Sequence, residues 1–176
     1  MKIAVIAWGS LCWDKRNLNV VTNWNNNGVI LPIEFSRISK DGRLTLVITE
    51  KYGTELKTYW AISGINSIEK AIENLKEREG TNKNNIGFIN LVENTSHSKF
   101  SNSLIEIIKK WAILIKVDAV IWTDLESNFF KKRNIEFSVD NAIEYLNQLE
   151  IKQKEKAMVY INKSPKQTIT ELRKRI

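Results

Sequence analysis

The sequence predicts an α+β fold. Strand-like runs crowd its first third, a tight hairpin signal separates two of them, and helical spacing takes over after residue 67. In this order the strands read as a meander. The sheet is expected to close into a mixed β-barrel with flanking helices rather than to form a doubly wound α/β fold.

Each element follows from its residues. Lys2–Trp8 is an apolar, β-branched run ended by Gly9, as a buried first strand would be. Asn23–Asn27 is a polar surface loop. Leu31–Ser39 and Arg43–Thr49 are further strand patterns, and Lys40-Asp41-Gly42 between them carries the Asp-Gly signal of a hairpin turn. Leu56–Ile62 adds a strand beyond the Tyr52-Gly53 break. The period then changes: Ile68, Ala71, Ile72 and Leu75 recur at helical spacing behind Ser67, and Gly80 ends that helix. Ile86–Val92 is again a strand, Ser101–Lys116 an amphipathic helix, and Asp118–Thr123 a short buried strand. Ser138 is placed as the N-cap of a helix to about Leu149. The tail is expected to start helical, turn extended around Pro165–Thr170 and end in a short turn.

At 176 residues, with 43% hydrophobic and 27% charged positions, the composition suits one ordinary globular domain and excludes a disordered chain. The longest apolar runs, Val29–Ile33 and Ala112–Ile115, are too short to cross a bilayer. Gly9 and Ser10 break any leader-like opening. A single cysteine, Cys12, leaves no internal disulfide and no cysteine metal cluster. The expectation is a cytoplasmic protein with no membrane partner, metal or cofactor. The formal charge is +7, and Glu150–Ile176 holds eight basic against three acidic residues, so +5 of it lies there. Residues 1–149 therefore read as the domain and 150–176 as a basic extension, packed on it or trailing from it.

Three groups of residues could carry chemistry. The break Trp8-Gly9-Ser10-Leu11-Cys12-Trp13 can expose successive backbone amides, which bind carboxylates or phosphates, and its tryptophans can wall a pocket. A plain turn beside two core tryptophans is the simpler alternative. Glu79 extends the inward stripe of its helix, while Glu69, Glu73, Lys76 and Glu77 lie on the solvated face. A carboxylate held inward has a raised pKa and suits proton transfer near neutral pH; a frayed last turn would instead leave it a surface charge. Arg37 shares a strand face with Ile33 and Phe35, and Glu34 lies on the other face with Pro32 and Ser36. For Glu34 a sheet-surface charge is the favoured reading. Cys12 and the lone His97 do not make a nucleophile and base by any recognisable arrangement.

With these residues in hand the chain resembles the gamma-glutamylcyclotransferase-like family. Members open with a strand ending in a Tyr-Gly-Ser-Leu-x-Trp-like loop, which Trp8-Gly9-Ser10-Leu11-Cys12-Trp13 resembles. Phe35-Ser36-Arg37 is similar to their next arginine-bearing strand, and Arg78-Glu79-Gly80 with Ile86-Gly87-Phe88 to their glutamate turn and the strand beyond. The motifs span roughly residues 1 to 93, and the remainder looks like an uncharacterised branch. The resemblance implies a β-barrel with a cavity at the opening loop. It also implies a small γ-glutamyl-type ligand, cyclised to 5-oxoproline with release of an amine and without a cofactor. Gly9, Ser10 and Leu11 would bind the substrate with Trp8, Trp13 and Arg37 around them, and Glu79 would be the acid/base. Trp8 departs from the family's tyrosine and removes a hydroxyl. The second reading is therefore a ligand-binding module without catalysis. Nucleic-acid binding through the basic tail ranks third, since no helix-turn-helix, zinc finger or RNA-recognition motif is present.

Overall fold

Five consecutive buried residues, Ile3–Ala7, form β1, and a strand buried on both faces needs partners on both edges. In the computed structural model, which describes all 176 residues, β1 pairs in parallel with β8 (Ala119–Thr123) and antiparallel with β5 (Tyr59–Ile62). Strands β6 (Ile86–Asn90) and β7 (Thr95–His97) extend the sheet antiparallel to the order β5-β1-β8-β6-β7. Helix α1 (Ile68–Glu79) packs on β6 and β8. Helix α2 (Asn102–Leu114) contributes Trp111, whose ring meets Trp60 edge-on at 5.7 Å. Gly87 on β6 lies opposite Trp122 on β8, and a Cβ there would fall 2.2 Å from the indole, so the ring lies flat on bare backbone. These elements make one compact unit, built from Met1–Ala7, Asp14–Val29 and Lys57–Leu125.

The second unit comprises Trp8–Trp13, Ile30–Leu56 and Glu126–Ile176. Its sheet has three strands in the order β3-β2-β4: β3 is Leu44–Ile48, β2 Ile30–Ile38 and β4 Thr54–Lys57. The β2–β3 hairpin turns through Asp41-Gly42 as the sequence indicates, with Gly42 at φ 85°. Four helices follow: α3 (Phe129–Arg133), α4 (Val139–Gln148), α5 (Ile151–Lys163) and α6 (Glu171–Arg175). The Ser138 hydroxyl caps α4 by accepting from the Asn141 amide at 3.1 Å. Helices α3 and α6 pack on β2, and α5 packs on β3. Phe129 anchors the interior through edge contacts with Phe137 and Tyr145.

The fold is thus α+β with mixed pairing and flanking helices, but no barrel closes. The strands divide into two sheets because the run Leu56–Ile62 does not stay one strand. At Thr58 both the backbone N–H and the hydroxyl donate to the Val29 carbonyl, at 3.1 and 2.8 Å, which separates β4 from β5. Two elements escaped the sequence pattern. β7 is three exposed polar residues, and α3 is a single helical turn with three cations at its end. The basic extension forms α5 and α6 inside the second unit. Arg173 clamps its turn by donating to the carbonyls of Ser164, Pro165 and Thr168 at 2.6 to 3.0 Å. No helix is long and apolar enough to cross a membrane.

Candidate functional site

Glu79 is positioned by the way α1 ends. Gly80 adopts φ 61° and ψ 43°, a left-handed conformation that costs a side-chain-bearing residue energy but glycine little. Its amide donates to the Glu77 carbonyl, and the Thr81 amide reaches back to Lys76 at 3.2 Å. These two bonds form a Schellman stop. The last turn therefore does not fray, and Glu79 is held on the inward side with its side chain 16% exposed.

Beside it, Arg78 is only 3% exposed, although arginine is almost never buried unless paired. Its Nη1 donates to Glu79 Oε1 at 2.7 Å, and its Nη2 donates to the Asp14 carbonyl. Arg16 joins through a 3.4 Å bond to the Arg78 carbonyl. Burial raises the Glu79 pKa, and the charge and hydrogen bond of Arg78, then the charge of Arg16, pull it back only in part. The result is a partly desolvated carboxylate with a fixed donor and a proton affinity above that of an exposed glutamate. The helical stripe pointed to position 78 or 79 without separating them; the structure turns both inward.

The opening loop lies in the second unit. It is a short 3₁₀ turn, Ser10–Cys12, in which the Cys12 amide donates to Gly9 and the Trp13 amide to Ser10. Trp8 is buried with its indole N–H donating to the Leu46 carbonyl at 3.3 Å, so its polar group is spent on the fold. Leu11 is buried, while Ser10 and Trp13 are half-exposed. Tyr160 on α5 completes this region. Its hydroxyl lies 2.9 Å from where a Gly9 Cβ would stand, and its ring meets Trp13 edge-on at 5.4 Å and Phe35 at 6.3 Å. The Arg43 guanidinium lies over the same ring at 5.5 Å. Nothing in the linear sequence linked residue 160 to residue 9.

Arg37 is half-buried and donates to the Glu126 carbonyl at 2.7 Å, and burial holds its pKa below the ordinary value. Glu34 departs from the surface charge expected of it: the side chain is fully buried. Its carboxylate accepts from the Phe35 amide at 2.7 Å and the Leu172 amide at 3.3 Å, and also from Thr170 and the Glu171 amide. Desolvation raises its pKa, with these donors opposing. Cys12 and His97 belong to different units, Cys12 half-buried in the turn and His97 exposed on β7. No group of three or more His, Cys, Asp or Glu side chains is arranged to hold a metal. No protein-family model, curated protein or solved structure matches the chain.

Proposed function

We propose that the chain is a gamma-glutamylcyclotransferase-like enzyme that converts a small γ-glutamyl amide to 5-oxoproline. The observation that carries this reading is Glu79, a carboxylate held inward by the Schellman stop with its pKa raised by burial. In this reaction the substrate α-amine attacks the γ-carbonyl carbon, the ring C–N bond forms, and the amide C–N bond to the leaving amine breaks. Glu79 takes the proton from the attacking nitrogen and returns it to the departing one. Attack within one molecule needs little beyond orientation, so one proton carrier and one carboxylate holder suffice. The family resemblance assigns the holder to the Gly9–Leu11 backbone and counts Trp8, Trp13 and Arg37 as binding residues. The family resemblance supports the chemistry through its motif residues alone, since the barrel that it also implies does not form.

A ligand-binding module without turnover is favoured by one observation. The Arg78 guanidinium occupies Glu79 Oε1, which would have to exchange its partner during proton transfer. Incubation with a panel of γ-glutamyl amides, read by mass spectrometry for 5-oxoproline, tests the enzyme. Product that persists in Glu79→Gln overturns the mechanism. Thermal stabilisation by glutamate, 5-oxoproline or glutathione without product selects the module.

A further inference from the structure

We infer that a groove on the first unit, between the middle of α1 and the β6–β7 edge, binds a single-ring organic anion. It is separate from Glu79 and from the opening loop, and is lined by Ile72, Lys83, Asn84, Ile86, Phe88 and His97. Its volume is about 220 Å³, below the roughly 300 Å³ where pockets for drug-sized ligands begin, so one ring and one small head group fill it.

Floor and rim differ in chemistry. Ile72 and Ile86 are buried and form an apolar floor, while Lys83, Asn84 and His97 are exposed at the rim. The Phe88 and His97 rings stand 6.3 Å apart at 30°, giving two flat surfaces against which a ligand ring can stack. His97 Nε2–H donates to the Asn84 carbonyl at 3.3 Å, which fixes the ring as a stacking surface, while Lys83 supplies the positive charge for the head group. The ammonium of Lys83 forms no ion pair. Glu69, the carboxylate that feels its charge, accepts instead from the Ser67 hydroxyl at 2.8 Å. An apolar floor with a fixed imidazole and an uncommitted ammonium above it is complementary to an aromatic carboxylate or phosphate monoester.

His97 is the only histidine, so its ring C–H resonances report this groove without ambiguity. The full chain is titrated at constant pH with benzoate and with phenyl phosphate, against inorganic phosphate and benzyl alcohol. The expected result is a saturating His97 shift for at least one aromatic anion, at concentrations about tenfold below either control. Which anion binds more tightly identifies the head group. Lys83→Gln and Lys83→Glu, both at an exposed position, should each weaken binding about tenfold or more with the unfolding curve unchanged. A shift still linear at about 10 mM, a response matched by either control, or full affinity in both Lys83 variants overturns the assignment.

Discussion

Arg78 donates to its sequence neighbour Glu79 at 2.7 Å, with the guanidinium almost wholly out of water. Adjacent helical residues normally point apart. These two meet because the left-handed Gly80 stops the helix just beyond them while Asp14 draws the guanidinium inward. Removing one partner strands the other. Arg78→Met should cost about 3 kcal/mol or more in urea unfolding, because the Glu79 carboxylate is left buried and unpaired. Adding Glu79→Gln to that variant should recover part of the loss. A cost below about 1 kcal/mol for Arg78→Met would mean that the pair carries little of the fold.

The raised pKa of Glu79 sets a direction for activity. The carboxylate must be ionised to accept a proton, so 5-oxoproline formation should rise as pH climbs through that raised value and then level off. Glu79→Gln should lose about a hundredfold or more and abolish this limb of the profile. A pH profile identical in the variant would assign the limb to another group.

Glu34 makes a prediction about stability. Its pKa lies above the ordinary 4.5 in the folded chain, so the folded state holds its proton at pH values where the unfolded state has released it. Its burial therefore costs stability at neutral pH. That cost shrinks as pH falls through the raised value and is gone below about 4.5. Glu34→Gln lacks this dependence, so the wild type should gain on the variant as pH is lowered from 7 to about 4.5. Denaturant unfolding at the two pH values checks it; a constant difference would show that Glu34 titrates as it does in the unfolded chain.

Gly9 and Tyr160 should behave as a coupled pair. Gly9 has no side chain, and the space that one would need is already taken. A Cβ at 2.9 Å from the Tyr160 hydroxyl must displace a ring already held by Trp13 and Phe35, which should cost about 1–3 kcal/mol. With Tyr160→Phe the oxygen is gone, and Gly9→Ala should cost clearly less. Additive effects in a double-mutant cycle would place the clash elsewhere.

Much of this architecture can be read from the chain itself. The stripe Ile68, Ala71, Ile72, Leu75, the Ser67 and Ser138 caps and the Asp41-Gly42 turn all state their local structure through spacing and side-chain chemistry. What cannot be read is partnership. β2 is buried along almost its whole length, so pleat alternation gave no sign that Glu34 was an interior charge, because neither face is a solvent face. The helical stripe reaches position 78 but does not show what pairs with an inward arginine there, because one acceptor, the Asp14 carbonyl, is a backbone atom 64 positions away. The break between β4 and β5 falls at Thr58, whose backbone and hydroxyl bond to Gly28-Val29, in a run whose pattern alone reads as a continuous strand.

The attachment of Glu34 to α6 has a consequence for how the second unit folds. Apart from the adjacent Phe35 amide, the donors to this carboxylate, Thr170 to Leu172, lie up to 138 residues downstream. Until they arrive, β2 carries a carboxylate that it cannot bury with its full set of native partners. The second unit must therefore close a very long loop before its central strand is satisfied, and contacts of this sequence separation form slowly.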